Sequence, residues 1–300
     1  MGMHEHELRI TVAMVRALVA TQYPQWAALA IVPVASEGTV NAIFRIGEGL
    51  VARFPLQPRD VDETWRWLRS EAAAAKELRV HTRVPVPEPV AIGSPGCGYP
   101  LPWSVQTWLA GSTASERDPS ASTGFARDLA GFIADVRSID VGDRVFAGAG
   151  RGGDLRSHDE WMRECLRRSE HLLDVPPLRR MWTRLRELPR ASPDAMTHGD
   201  LVPGNVLVSD GRLAGVLDVG GLGPADPALD LVGGWHLLDT GPRRLLRQIL
   251  ASDDLEWERG KAWAFEQAMG LVWYYAHSNP VMSQVGRRTL ERLLADEASR

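Results

Sequence analysis

The chain contains few cysteines and no long apolar run. Only two of its 300 residues are cysteine, Cys97 and Cys165, and two such distant thiols support neither a zinc site nor a disulfide framework. The best apolar stretch, Ala268 to Ala276, is far shorter than the roughly 20 residues that a membrane helix needs. The first seven residues lack the basic flank and apolar segment of a secretory signal. We therefore expect a cytoplasmic protein with no membrane partner and no redox or zinc chemistry.

An excess of basic charge is also missing. The formal net charge is −4, with 44% hydrophobic and 24% charged residues, which is ordinary for a globular protein. The arginines are dispersed among acidic residues and form no basic stripe. Nucleic acid is therefore not expected as a partner, and a cationic ligand is mildly favoured.

The first hundred residues predict a β-hairpin followed by a helix. Two short strand-like runs, Asn41 to Ile46 and Leu50 to Phe54, flank a glycine-containing turn. The segment from Val61 to Val80 repeats apolar residues at every third or fourth position, which is the spacing of one buried helix face. A proline-rich stretch then excludes helix, and Trp103 to Leu109 is typical of a strand.

The remaining sequence consists mainly of amphipathic helical segments around a compact β-rich block, residues 196–220. We therefore predict an α+β fold with two lobes. A small β-containing N-terminal lobe covers residues 1–103, a hinge covers 104–110, and a larger helical C-terminal lobe covers 111–300.

The β-rich block predicts a hairpin with three oxygen-bearing side chains at one end. The runs Val-Leu-Val and Leu-Ala-Gly-Val-Leu have strand character, and Ser-Asp-Gly-Arg between them is a turn. Asn205 precedes the first strand and Asp218 ends the second, so antiparallel pairing brings both to one edge. Asp200, on an irregular loop five residues before Asn205, can fold over the same edge.

Side chains of this kind, in this order, suit phosphoryl transfer. Asn205 and Asp218 provide the hard oxygen ligands that Mg²⁺ prefers, and the carboxylate of Asp200 can orient an attacking hydroxyl. An Asp five residues before an Asn, followed later by Asp-x-Gly, is the order of base and metal ligands in kinases. The structural alternative is that Asp200 and Asn205 cap a loop while Asp218 closes a strand. The occurrence of all three elements around one hairpin favours catalysis.

These motifs resemble the aminoglycoside phosphotransferase family, which includes macrolide and peptide-antibiotic kinases and is related to choline kinase and the protein kinases. The matching segments are His198-Gly-Asp-Leu-Val-Pro-Gly-Asn205-Val-Leu-Val, Gly215-Val-Leu-Asp218-Val-Gly and Gly223-Pro-Ala-Asp226-Pro-Ala-Leu-Asp230-Leu. The resemblance implies a bilobal protein-kinase-like fold with ATP or GTP between the lobes. The N-terminal lobe would bind this nucleotide, and the C-terminal lobe would carry catalysis and bind the acceptor.

A kinase-like N-terminal lobe needs a loop that covers the phosphates, a cationic residue on a strand, and an acidic residue on a helix that pairs with this cation. The segment before the first hairpin could supply backbone amides for the phosphates, although it lacks G-x-G-x-x-G and could equally be an ordinary turn. Its candidate residues are Ser36, Gly38, Thr39 and Asn41. Arg53 stands where the family has a strand lysine and keeps the positive charge. Glu71 on the predicted helix is its preferred partner, with Glu63 and Glu77 as competitors.

Gln106 and Trp108 lie on the strand where the resemblance implies that the nucleobase binds the backbone. This position does not distinguish adenine from guanine. In the second lobe, His198 is expected to orient the catalytic loop rather than to transfer a proton. Asp226 has the features of a helix N-cap followed by proline, and the resemblance adds that its motif supports the catalytic loop.

The helical tail is where this family usually builds its acceptor pocket. Its aromatic residues could equally belong to the core, because aromatic side chains at helical spacing are more often buried than functional. The candidate acceptor residues are Asp226, Asp230, Trp235, Asp239, Trp273 and Tyr274.

The expected function is transfer of the γ-phosphoryl group to a hydroxyl of a small molecule, with an aminoglycoside antibiotic as the first candidate. A polycationic acceptor would require an acidic cleft, for which the sequence offers Asp253, Asp254, Glu256 and Glu258. A macrolide would require an apolar, aromatic cleft. A metabolic kinase acting on a sugar or amino alcohol, and a pseudokinase that binds nucleotide without turnover, are the further alternatives. The short segment between Asp218 and Asp226 leaves no room for the long activation segment of protein kinases.

Overall fold

The computed structural model describes residues 7–34, 40–148, 150–190 and 192–298 of the chain. The chain divides into two compact units. The N-terminal unit comprises Met1–Val80 and Pro85–Ala110, and the C-terminal unit comprises His81–Val84 and Gly111–Arg300. Residues 104–110, where we predict a hinge, are part of the N-terminal unit.

A five-stranded antiparallel sheet forms the centre of the N-terminal unit. Its elements are α1 (Val12–Gln22), β1 (Ile31–Val34), β2 (Asn41–Ile46), β3 (Leu50–Pro55), α2 (Val61–His81), β4 (Pro89–Gly93) and β5 (Trp103–Thr107). The strand order is β1-β2-β3-β5-β4. The predicted hairpin is formed by β2 and β3, which pair from Asn41 opposite Pro55 to Ile46 opposite Leu50.

Alternate residues of these strands face opposite sides of the sheet. Phe44, Phe54 and Trp103 belong to a buried core that also contains Leu18 of α1. The rings of Phe54 and Trp103 stack with their centroids 4.9 Å apart. Arg53 immediately precedes Phe54, so its side chain leaves the sheet on the face opposite this core. The alternation of the sequence thus keeps the cation out of the apolar interior.

The C-terminal unit is mainly helical and contains two small sheets. Its elements are β6 (Ser112–Thr113), α3 (Thr123–Arg137), α4 (Asp159–Arg168), α5 (Val175–Leu185), β7 (Ala195–Thr197), β8 (Val206–Ser209), β9 (Arg212–Val216), β10 (Gly223–Ala225), α6 (Val232–Leu237), α7 (Thr240–Leu250), α8 (Asp254–Tyr274) and α9 (Pro280–Ala298). One sheet has the order β6-β8-β9, and the other pairs β10 with β7. The predicted α+β composition is confirmed.

The hairpin of β8 and β9 closes through a tight turn. Asp210 and Gly211 occupy its centre with φ values of 50° and 69°. Positive φ at both central residues defines the type I′ turn, whose twist matches that of paired strands and which Asp-Gly favours. The strands then pair antiparallel up to Val206 opposite Val216. This register brings the residues that flank the hairpin, Asn205 and Asp218, to the same end.

Helix α8 is buried over most of its length and packs closely against α9. A Cβ atom at Gly286 of α9 would lie 2.7 Å from the carbonyl oxygen of Ala268 in α8, so the close approach requires glycine there. Buried charges on α8 are paired: Glu258 with Arg184 at 2.8 Å, for example. Within the described part of the chain, no helix is both long and apolar enough to span a bilayer.

Candidate active site

A buried carboxylate holds the loop from His198 to Asn205, which joins β7 to β8. Asp230 accepts hydrogen bonds from the backbone N–H groups of His198 and Gly199, each at 2.8 Å. Gly199 has φ of 84°, a conformation that favours glycine. Burial raises the pKa of Asp230 above its ordinary value, and the two backbone donors oppose that effect. Asp230 therefore fixes the backbone directly ahead of Asp200.

The ring of His198 connects this loop to the end of β9. Its Nε2 lies 3.0 Å from the carbonyl oxygen of Leu217, and its Nδ1 lies 3.3 Å from the backbone N of Asp200. A carbonyl can only accept and an amide N–H can only donate, so Nε2 carries the proton and Nδ1 accepts. His198 is fully buried. Its contacts are those of a residue that positions the loop beside Asp218.

Three donors fix the carboxylate of Asp200. Its Oδ1 accepts from Nη2 of Arg151 at 2.9 Å and from Nε2 of Gln267 at 2.7 Å. Its Oδ2 accepts from Nδ2 of Asn205 at 2.9 Å. A carboxylate offers about four acceptor positions, so one position on Oδ2 stays available. The side chain remains 38% exposed and can therefore meet a hydroxyl.

Asn205 and Asp218 place two further oxygen-bearing side chains at the same end of the hairpin. The backbone N–H of Leu217 donates to the carbonyl of Asn205 at 2.7 Å, which places Asp218 next to Asn205. The amide nitrogen of Asn205 donates to Asp200, so its oxygen is left for another partner. Asp218 is exposed and has φ of 53°, a strained value for a non-glycine residue that is common at functional sites.

Sequence reasoning missed Arg151 and Gln267. Arg151 lies in an irregular glycine-rich segment without a recognisable motif, and Gln267 lies in a helix 67 residues after Asp200. One signal was present for Gln267. A polar Glu-Gln pair interrupts an otherwise apolar part of α8, and polar residues inside a buried helix need a partner.

Glu266, the neighbour of Gln267, holds the segment that carries Arg151. His158 lies between them, with Nδ1 3.0 Å from Oε1 of Glu266 and Nε2 3.2 Å from the carbonyl oxygen of Gly150. Its contact with Glu266 raises the pKa of His158, while burial and nearby Arg151 oppose the increase. Two consecutive residues of α8 therefore support Asp200, one directly and one through the loop of Arg151.

In the N-terminal unit, Arg53 and Glu71 form an ion pair. Nη1 of Arg53 lies 3.1 Å and 3.2 Å from the two carboxylate oxygens of Glu71. Both side chains are largely buried. Glu71 is therefore the partner in this structure, rather than Glu63 or Glu77.

The other residues expected to bind nucleotide differ in their positions and contacts. Ser36, Gly38 and Thr39 lie outside the described residues. Asn41 is buried at the start of β2, and its Oδ1 has no hydrogen-bond partner among the described residues. Gln106 pairs with Val51 on β3 and lies on the same face as Arg53. The backbone N–H of Trp108 donates to Gly49 at 2.8 Å, and Arg45 covers its ring at 5.2 Å.

Three of the candidate acceptor residues lie in the interior. Asp226 accepts from Nε of Arg259 at 2.7 Å and from Nε1 of Trp263 at 3.0 Å, and it caps the turn that follows it. Asp230 binds the catalytic loop, and Trp235 is fully buried beneath the guanidinium of Arg243. Because these three side chains are buried, they are not available to contact an acceptor in this structure.

The other three candidates are accessible to different degrees. Asp239 is exposed and pairs with Arg292 at 3.1 Å. Trp273 is partly buried and packs near Trp161, with ring centroids 5.8 Å apart. Tyr274 is 46% exposed and meets Trp273 edge to face. Trp161, Trp273 and Tyr274 form an aromatic patch.

The acidic cluster offered by the sequence does not lie beside Asp200. It occupies residues 253–258 at the start of α8, 9 to 14 residues before Gln267 and thus roughly 14 to 21 Å away along the helix. Its members are also engaged: Asp253 caps α8, Asp254 pairs with Arg247, Glu256 with Arg137, and Glu258 with Arg184. In this structure the four acidic residues therefore serve as a helix cap and as members of ion pairs.

Comparison with known proteins identifies the family and the fold of the chain. The model of the "Phosphotransferase enzyme family" (APH) matches residues 31–263. An aminoglycoside 3'-phosphotransferase of Escherichia coli is 30% identical over 149 residues, 45% of this chain and 52% of the relative, and one of Salmonella typhimurium matches equally well. The chain thus spans about half the length of the curated relatives it matches.

Solved structures of this kind are similar in fold. The GDP complex of aminoglycoside 2'-phosphotransferase-IIIa superposes with a TM-score of 0.71 and 18% identity, over 96% of this chain and 100% of that one. A macrolide 2'-phosphotransferase from Brachybacterium faecium gives 0.57 and 21%, over 87% and 91%. A type I macrolide 2'-phosphotransferase gives 0.62 and 17%, over 94% and 98%.

At these identities the structures establish the fold, and they confirm the predicted kinase-like α+β architecture. The family model covers well over half of the sequence, including the loop of Asp200, the hairpin and the segment of Asp226. The chain belongs to the phosphotransferase enzyme family.

Proposed function

We propose that the protein transfers the γ-phosphoryl group of ATP or GTP to a hydroxyl of a small molecule, with an aminoglycoside as the first candidate. The observation that carries the proposal is the carboxylate of Asp200. It is fixed by three donors, keeps one acceptor position, and lies beside the oxygen ligands Asn205 and Asp218. Because ATP and GTP are supplied in the cytoplasm, we also expect the enzyme to act there.

Asp200 would orient the acceptor hydroxyl. Both positions on Oδ1 are occupied by Arg151 and Gln267, so the hydroxyl would donate to the remaining position on Oδ2. Phosphoryl transfer proceeds through a loose transition state in most analyses and needs little proton removal beforehand. The main contribution of Asp200 is therefore alignment of the hydroxyl, which Arg151 and Gln267 support by preventing rotation of the carboxylate.

Asn205 and Asp218 would hold Mg²⁺. The arrangement fits, because the amide of Asn205 already uses its nitrogen on Asp200 and thus presents its oxygen, and Asp218 is exposed beside it. Among the described residues there is no group of three or more His, Cys, Asp and Glu able to hold a metal ion. Mg²⁺ commonly takes one or two protein ligands and completes its shell with phosphate oxygens and water. When bound, it would neutralise charge on the β- and γ-phosphates.

The N-terminal unit would bind the nucleotide. Arg53 would contact phosphate, since a guanidinium presents a fork of donors that matches phosphate oxygens. Glu71 uses both carboxylate oxygens on one nitrogen of Arg53 and thereby limits the rotation of the guanidinium. Buried Asn41, whose Oδ1 has no hydrogen-bond partner among the described residues, lies on the same face of the sheet as Arg53 and Gln106. We propose that this face receives the nucleotide.

The aminoglycoside assignment rests on the names of the relatives. Two of them are aminoglycoside 3'-phosphotransferases, and a similar structure is a complex with GDP and kanamycin. The acceptor class of the present chain is therefore proposed by analogy, whereas the reaction is proposed from its own residues.

A macrolide is the second candidate, and the aromatic patch favours it. Gly270 and Tyr274 follow Gln267 by three and seven residues and lie on the same face of α8. The ring of Trp161 covers Gly270, where a Cβ atom would lie 3.1 Å from it. Trp161 is 39% exposed and Tyr274 46%. An apolar surface thus lies within two helical turns of the residue that holds Asp200.

Product analysis tests the proposal. Purified protein would be incubated with Mg²⁺, ATP or GTP, and a panel of aminoglycosides, macrolides and simple amino alcohols, and phosphorylated products would be detected by mass. We expect Asp200→Asn to reduce product formation by at least about 100-fold. Asp210→Asn, the same exchange in the β8–β9 turn, is the matched control and should leave the rate unchanged. Equal rates for Asp200→Asn and the wild type would refute the assignment.

A further inference from the structure

Gln267, which donates to Asp200, is the first of three buried polar side chains behind that carboxylate, and the other two have no role in the reaction as described so far. The three are Gln267 on α8, His236 on α6 and Thr289 on α9, and all three are at least nine-tenths buried. Burial of polar groups is unfavourable unless they are hydrogen-bonded to one another or to the backbone. Their contacts therefore show what they stabilise.

The three side chains form a continuous series of hydrogen bonds that ends on Asp200. Nε2 of Gln267 lies 2.7 Å from Oδ1 of Asp200. Oε1 of Gln267 lies 3.0 Å from Nε2 of His236. Nδ1 of His236 lies 2.8 Å from Oγ1 of Thr289. The series connects α9 and α6 through α8 to the catalytic loop.

The direction of each bond follows from the carboxylate at its end. Asp200 can only accept, so Gln267 must present its NH₂ group to Asp200 and its carbonyl oxygen to His236. Nε2 of His236 must then carry a proton. The reversed amide would place its oxygen against the Asp200 carboxylate. Oγ1 of Thr289 also lies 2.9 Å from the carbonyl oxygen of Val285 in its own helix. When the imidazole is neutral, Nδ1 accepts from the hydroxyl of Thr289, and one arrangement of protons satisfies all three side chains.

This arrangement requires a neutral imidazole, since an imidazolium has no acceptor nitrogen and the hydroxyl of Thr289 would then donate to Val285 instead. Burial lowers the pKa of His236 to about 4, with further decreases from nearby Arg151 and Arg292 and opposing increases from Gln267 and Asp200. Arg292 also donates to the carbonyl of His236 at 2.7 Å. The imidazole of His236 is therefore neutral around pH 7, and a single proton on Nε2 is compatible with its charged neighbours.

We propose that Thr289, His236 and Gln267 are positioning residues which set the direction of the Asp200 carboxylate through this single arrangement of hydrogen bonds. The proposal rests on the phosphotransferase function proposed above. If the series only stabilised the helix packing, losing its distal hydroxyl would lower stability and leave turnover unchanged. If it positions Asp200, the same loss reduces kcat, because the imidazole can change tautomer and turn the amide of Gln267 away.

Steady-state kinetics of matched variants distinguish these roles. Thr289→Val removes the hydroxyl at nearly constant shape, and Gln267→Met removes the last donor. Thr289→Ser retains the hydroxyl. Ser283→Ala removes a different buried hydroxyl of α9, one that donates to the carbonyl of Val272 in α8 at 2.8 Å. It is therefore a control for loss of packing at the same helix interface.

We expect kcat to fall about 10-fold to 100-fold in Gln267→Met and about 3-fold to 10-fold in Thr289→Val, the range expected for losing hydrogen bonds to charged and neutral groups. The KM for the acceptor should change less than about 3-fold, because these residues are buried and, in this proposal, act through Asp200 and not on the acceptor. Thr289→Ser and Ser283→Ala should retain the wild-type kcat. Wild-type kcat in both Thr289→Val and Gln267→Met, or an equal loss in Ser283→Ala, would overturn the proposal.

Histidine ¹⁵N NMR tests the series without turnover. His236, assigned by loss of its signals in His236→Gln, should be the neutral Nε2–H tautomer at pH 7 and should stay neutral at pH 5.5. In Thr289→Val its ¹⁵N shifts should move toward the Nδ1–H form, whereas Ser283→Ala should leave them in place. An Nδ1–H tautomer or an imidazolium in the wild type would overturn the proposal. Failure to phosphorylate any acceptor would instead refute the function and leave this result standing.

Discussion

From the contacts of His158 we predict that the stability of the fold and the position of the Asp200 loop both depend on pH. Its two ring nitrogens face two acceptors, the carboxylate of Glu266 and the carbonyl of Gly150. Both contacts are hydrogen bonds only when both nitrogens carry protons, so the imidazolium is the form that the structure stabilises. The raised pKa of His158 has the same cause, with the contact to Glu266 as its largest contribution.

The sign of the effect follows from this shift. Because the folded-state pKa is raised above the ordinary value of about 6.5, the stabilisation is fully present below about pH 6.5. It is lost as the pH rises through the folded-state value. Neutral His158 can donate to only one acceptor, so the bond to Gly150 or to Glu266 weakens. Arg151 follows Gly150 in the chain and holds Asp200, so turnover should fall along with stability.

Urea unfolding of the wild type and His158→Gln at pH 6 and pH 8.5 measures the effect. Glutamine retains one donor group, so at pH 6 the variant should lose about 1.5 to 3 kcal/mol, the usual net value of a hydrogen bond to a charged partner. At pH 8.5 the difference should shrink, because the wild type has then lost the same contact. A difference that is constant or increases with pH would refute the reasoning. His171→Gln, at a histidine with no part in this loop, is the matched control.

Two further predictions concern other parts of the molecule. Arg53→Ala should weaken ATP and GTP binding in calorimetry by about 10-fold or more, because it removes a charge-assisted phosphate contact, and unchanged affinity together with an unchanged melting temperature would contradict the role of Arg53. Arg259→Met should lower the free energy of unfolding by about 3 to 5 kcal/mol, because it leaves the carboxylate of Asp226 buried without its cation. Asp226→Asn in the same chain should restore part of that loss, and no recovery in the double variant would show that the packing of Arg259, not its charge, is what matters.

The parts of the molecule predicted from sequence are those set by short separations along the chain. The β8–β9 hairpin follows from two strand-forming runs and an Asp-Gly turn, and its register alone brings Asn205 next to Asp218. Asp200 is five residues from Asn205, so the covalent chain keeps it close. The pairing of Arg53 with Glu71 is similar, since one strand and the following helix contain both.

The sequence left open the questions that depend on the packing of distant helices. The acidic residues at the start of α8 suggested a site for a polycation, yet each is used as a cap or ion pair, far along the helix from Gln267. Trp235 and Asp226 were candidate residues of an acceptor pocket, but both are buried in the structure. Periodicity shows which residues share a helix face, and it does not show whether that face meets solvent or another helix.

The sequence by itself therefore indicated the family, and it predicted the chemistry and the three residues expected to touch hydroxyl and metal, because these predictions need only local geometry and motif order. Only the tertiary structure showed what holds Asp200 in place. Arg151 and Gln267 lie 49 and 67 residues away from it in the chain, and the series through His236 reaches Thr289 on the last helix. Their convergence depends on the packing of α6, α8 and α9 around one loop, which no local pattern encodes.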